Sequence, residues 1–134
     1  MASHASGTFA VKVAPQTATD FEASLGLARY SIDKEIHGEL EATSKGEMLA
    51  TNTEVTGSAA YVALEKVTGT LNGRTGSFVL QHSASMTNTS QQMLITVVPD
   101  SGTGQLFGLT GKFIIKIVDK KHFYEFDYNL PPVN

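Results

Sequence analysis

A chain of 134 residues with formal net charge −3, 41% hydrophobic content and no cysteine fits one domain able to bury a core. Its 10 basic residues are scattered, so the electrostatic footprint of nucleic-acid binding is missing, and no apolar run is long enough to span a membrane. The absence of cysteine excludes disulfides, thiolate catalysis and cysteine-based zinc sites.

The opening MASHASGTF has neither a basic n-region nor an apolar h-region, so no signal peptide is expected and the cytoplasm is the expected compartment. Period-2 alternation dominates from there on. A first strand is expected near Thr8–Ala14, with Phe9, Val11 and Val13 on one face, ended by Pro15. Gln16–Gly26 is the one place for a short helical turn. A second strand covers Ala28–Ile36, with Tyr30, Ile32 and Ile36 opposite Arg29, Asp33 and Glu35. The third spans Glu39–Glu54, and Gly46 inside it suggests a bulge or sharp bend.

Gly57–Met86 reads as one long β-hairpin folded at Asn72-Gly73, because both residues tolerate the positive φ of a type I′ turn. A sixth strand, Met93–Val98, is apolar on both faces and stops at Pro99. The glycine-rich connection Pro99–Gly111 is too long for a tight turn and is expected to fold over an end of the sheet. A seventh strand, Lys112–Val118, carries Phe113, Ile115 and Ile117 on one face. A tight turn at Asp119-Lys120 leads to an eighth, His122–Leu130, with Tyr124, Phe126 and Tyr128 together.

Eight antiparallel strands in one small domain must hide their edges. The expected solution is an all-β fold, a single antiparallel eight-stranded barrel over residues 1–134, with glycines supplying the bends of closure. The fourth and sixth strands are apolar on both faces, so their outer faces need cover from loops or from another subunit, and a homo-oligomer is expected.

The hairpin turn fixes a register. With Leu71 opposite Arg74, Val67 faces Phe78, Glu65 faces Leu80, Ala63 faces His82 and Tyr61 faces Ala84. One face then carries Tyr61, Ala63, Glu65, Val67, Phe78, Leu80, His82 and Ala84; lacking Lys66, it is assigned to the interior. Glu65 and His82 become diagonal neighbours, about 7–8 Å apart at the backbone. Such a pair suits acid/base work or ligand anchoring, and equally a satisfied structural hydrogen bond. Tyr124, Phe126 and Tyr128 read first as core, and with Tyr61 and Phe78 they complete the candidate ligand-binding set as the aromatics that could line a cavity. His37, Glu39 and Glu41 share a face at metal-ligand spacing but read as a solvated face, and no metal or cofactor is expected. Gly102-Thr103-Gly104 lacks the following helix of a phosphate loop. Asn88-Thr89-Ser90 reads as a polar turn.

The runs GSAAYVALEKVTGTLNGRTGSFVLQH and VVPDSGTGQLFGLTGKFIIKI resemble domain-of-unknown-function family 3224, small uncharacterised bacterial proteins. The resemblance implies a fold and little about activity. Gly102 through Gly111, followed by a strand and Phe123-Tyr124-Glu125-Phe126, is more distantly similar to allene oxide cyclases and dirigent proteins. That likeness implies an oligomeric eight-stranded barrel holding a hydrophobic ligand, and no catalytic residue carries over. Three readings follow: a barrel binding a small, mostly hydrophobic molecule inside; an isomerase or cyclase using Glu65 or His82 for proton transfer; and a packed barrel serving as an oligomeric structural module. Neither nucleic acid nor membrane is an expected partner.

Overall fold

The computed structural model describes residues 3–132. Eight antiparallel strands close into one barrel in chain order: β1 (Ser3–Pro15), β2 (Ala28–Gly38), β3 (Leu40–Asn52), β4 (Ala59–Leu71), β5 (Arg74–Met86), β6 (Gln91–Val97), β7 (Thr110–Val118) and β8 (Lys121–Asn129). One short helix, α1 (Asp20–Ser24), lies between β1 and β2. Its N-cap Thr19 and Glu22 form a reciprocal capping box.

The β4–β5 hairpin has the register derived from its turn, from Leu71–Arg74 through Ala63–His82 to Ala59–Met86. Asn72 and Gly73 take φ of 47° and 86°, the left-handed pair a type I′ turn demands. Asp119 and Lys120 do the same between β7 and β8.

Two expectations need correction. β1 starts at Ser3 rather than Thr8, because Ser3–Phe9 pairs with β8 to close the barrel. His4 reinforces that closure, bonding Asp127 and Glu125 at 2.7 Å each. Gly46 makes no bulge: the ladder continues through it on both sides, opposite Ile32 and Glu65. It is glycine because the backbones approach closely there. A Cβ at Gly46 would lie 2.6 Å from the Glu65 Cα and collide with the Leu64 carbonyl.

The two barrel ends differ. At the end bearing the 38–40 and 72–73 turns, the interior is solid. Phe78 stacks on Phe126 at 5.8 Å, Phe113 on Tyr124 at 5.1 Å and Phe126 on Tyr128 at 5.2 Å between ring centroids. The connection between β6 and β7 folds over this end, as expected, and buries Leu106 and Leu109. Gly76 lets it approach, since a Cβ there would strike the Thr103 carbonyl. At the other end, here the mouth, side chains of inward parity emerge into solvent: Val13 is 46% exposed, Met93 37% and Ile117 65%. Of the two covers expected for the outer wall, loops or another subunit, the described loops supply none. Val62, Leu64 and Leu94 point outward and stay more than half exposed, so no described loop shields them.

Candidate functional site

The functional candidates meet in the lumen wall between the solid end and the mouth. Inward parity on β2 runs Tyr30, Ile32, Lys34, Ile36, and on β3 Leu40, Ala42, Ser44, Gly46, Met48. The register places Lys34 beside Ser44 and Gly46 beside Glu65, with His82 one step further on β5. Four successive strands thus deliver one polar side chain each to a common point, and Gly46 leaves the space they converge on.

Glu65 is the hub. Its Oε1 accepts from Lys34 Nζ at 3.0 Å and lies 2.9 Å from His82 Nε2; its Oε2 accepts from Ser44 Oγ at 2.9 Å. All four residues are buried. Burial alone would raise the Glu65 carboxyl. The His82 hydrogen bond and the Lys34 charge outweigh it and hold the group at about 2. Glu65 is therefore a carboxylate at neutral pH and neutralises the buried ammonium. Lys34 also lies 4.9 Å from the Phe9 ring centroid, a cation–π contact.

Tyr61 lies on the mouth side of the cluster, its ring 6.4 Å from that of His82 and tilted by 43°. Burial, and then the Glu65 charge, push its hydroxyl up from the ordinary value, so it stays protonated. The expected pair Glu65 and His82 is thus brought together, with Tyr61 adjacent. Phe78, Tyr124, Phe126 and Tyr128 lie instead in the packed core at the solid end. The Tyr124 hydroxyl there accepts from the Leu40 N–H at 3.1 Å.

Lys34 and Ser44 were missed. The signal for Lys34 was present: it occupies the inward parity between Ile32 and Ile36, where a lysine needs a partner. Ser44 leaves no such mark. Of the metal candidates, Glu41 accepts from the Gly38 N–H and lies 3.1 Å from His37, both side chains in solvent, while Glu39 accepts from the Ser6 N–H. Among the described residues, no group of three or more His, Asp or Glu side chains is placed to hold a metal ion.

Fold and site together define an eight-stranded antiparallel barrel with a buried carboxylate–lysine–histidine cluster beneath an apolar mouth. Residues 5–128 match the family described as a protein of unknown function, DUF3224, and the chain belongs to that family. It is similar to a crystal structure from Shewanella oneidensis MR-1, described as a protein with unknown function from the same family. The identity is 46%, the match covers 99% of this chain and 100% of that one, and the TM-score is 0.90. No curated protein matches the chain. The allene oxide cyclase and dirigent likeness stays a resemblance of glycines and aromatics. Among the described residues, no helix is long and apolar enough to cross a membrane.

Proposed function

We propose that this barrel binds a small, mostly hydrophobic molecule at its mouth, above the Glu65–Lys34–His82–Ser44 cluster. The observation that carries this reading is the buried charged cluster itself. An ion pair buried in a barrel adds little to stability that apolar residues of equal volume would not give. A core built only for closure has no need of one. The cluster also lies one inward step below the rim, where Val13 and Met93 are left open to solvent, and apolar walls with a few convergent polar groups are the usual makeup of a ligand site. The aromatics of β8 and Phe78 form the floor rather than the contact surface.

The proton-transfer alternative loses Glu65 as a carrier, since a carboxylate held at about 2 does not cycle at neutral pH, and is left with His82. A cytoplasmic setting suits a chain that needs no disulfide. For the outer wall we propose self-association with a second copy through Leu49, Val62, Leu64 and Leu94. These neighbours in the register are apolar and uncovered by the chain's own described loops.

Titration with the neutral apolar dye N-phenyl-1-naphthylamine tests the mouth site. Saturable 1:1 fluorescence enhancement is expected, abolished by the lumen-filling Ala84→Phe and preserved by the outer-wall Leu64→Thr. The reverse pattern would move the site to the outer wall, and no enhancement at all would remove it.

A further inference from the structure

We infer that the site selects a neutral ligand that donates a hydrogen bond, and that the acceptor is Nδ1 of His82. This rests on the mouth-site reading and names the ligand chemistry it would take.

The argument starts from charge. The buried cluster holds one carboxylate, Glu65, and one ammonium, Lys34, 3.0 Å apart. A neutral imidazole leaves the cluster uncharged; an imidazolium would leave a net positive charge beside Lys34 in a low-dielectric wall. Glu65 offers only acceptors, so Nε2 must carry the imidazole proton in the 2.9 Å contact. Nδ1 is then a lone-pair acceptor. His82 is only 3% exposed. Among the described residues its one side-chain hydrogen bond runs through Nε2. Yet among the described residues no buried side-chain nitrogen or oxygen lacks a partner. Nδ1, without a hydrogen-bond partner, is therefore not fully enclosed, and the Tyr61 ring lies beside the imidazole at 6.4 Å between centroids.

What can approach follows from these groups. An ionised ligand would bring an unbalanced charge to a cluster already neutral. An ether or ester offers only acceptors to an acceptor. A hydroxyl or N–H on an apolar body fits, its proton on Nδ1 and its body against Tyr61 and the apolar rim. One net hydrogen bond is worth about tenfold in affinity.

The test uses 2-naphthol, 2-methoxynaphthalene and 2-naphthoate, whose fluorescence is readable because the chain has no tryptophan. We expect 2-naphthol to bind about tenfold more tightly than either of the others. The ¹⁵N spectrum of the unmodified protein should show the Nε2–H form of His82, with the Nδ1 signal moving as 2-naphthol saturates. In His82→Phe the preference over the methoxy analogue should vanish; where that variant does not fold, the nitrogen spectrum decides. Equal affinities, tighter 2-naphthoate, or an unmoved Nδ1 signal overturn the donor rule while leaving the mouth site standing. No binding by the three, together with no dye binding, overturns both.

Discussion

The wall of this barrel is built to two standards. From β2 to β5 the ladders run unbroken, β3–β4 from Leu40–Leu71 to Asn52–Ala59 and β4–β5 from Leu71–Arg74 to Ala59–Met86. Between β6 and β7 the single registered pair is Thr96–Lys112. The difference follows from the connections. Inside the wall the strands are joined by short connections, Glu39 alone, residues 53–58 and Asn72-Gly73, whereas the long segment between β6 and β7 is spent on capping the solid end. Its backbone continues along β5 instead, through Val98 N–H to the Val79 carbonyl and Thr103 N–H to the Ser77 carbonyl. The polar cluster hangs entirely on the well-zipped wall. The exposed inward side chains Met93 and Ile117 flank the loose seam. A continuous wall carrying the polar groups, with a seam held by one registered pair, is the arrangement that the proposed mouth site would use.

The sharpest way to break this contrast is at the hub. Glu65→Ala leaves Lys34 buried without its counter-charge, and we expect a loss of about 3–5 kcal/mol by urea unfolding. The double variant Lys34→Met/Glu65→Leu should recover most of it. A double variant as unstable as Glu65→Ala alone would show that the cost lies in packing and not in charge.

Acid probes the same charge without mutation. The Glu65 carboxyl is lowered from 4.5 to about 2 on folding. Its contribution is present above pH 4.5 and is lost as pH falls through about 2, because the unfolded chain takes up the proton first. The shift corresponds to roughly 3 kcal/mol. Stability of the natural protein should drop across that window more steeply than that of Glu65→Gln. Parallel curves would mean that Glu65 is not held low.

The same contrast marks what the sequence made legible. Periodicity and the Asn72-Gly73 turn gave all eight strands, the β4–β5 register and the inward placement of Glu65 and His82, because short-range turn chemistry is written in adjacent residues. Lys34 and Ser44 were lost because their partner lies on another strand, across pairings set by the Gly38 turn and the 52–59 loop. The start of β1 was lost because Ser3–Gly7 has no strand character of its own; it is extended through pairing with the far end of the chain. Gly46 was read as a bulge or a sharp bend because a glycine reports that backbone room is needed without saying for what.

The seam supplies the next comparison. Amides of Met93, Leu94, Ile114 and Lys116 should exchange through local opening, those of Val67, Leu80 and His82 only through larger unfolding. We expect the seam to open at least about 2 kcal/mol more easily by native-state hydrogen exchange. Equal protection would show a wall uniform despite its broken ladder. Saturation with 2-naphthol should narrow the gap if the seam responds to the occupied mouth.

The smallest effect on stability belongs to the outer face of the good wall. Leu64 points away from the lumen and is 56% exposed, so Leu64→Lys removes little buried surface. We expect unfolding free energy within about 0.5 kcal/mol of the natural protein. The solution mass should nevertheless change. A lysine there, opposite Glu47 and Gln81 in the two ladders, would bring a hydrated charge into any contact made through this apolar band. By light scattering, the natural chain should be larger than a monomer and Leu64→Lys should not. A natural chain that is monomeric at all concentrations would leave Val62, Leu64 and Leu94 as ordinary exposed apolar residues. A Leu64→Lys oligomer of unchanged mass would move the contact to another face of the barrel.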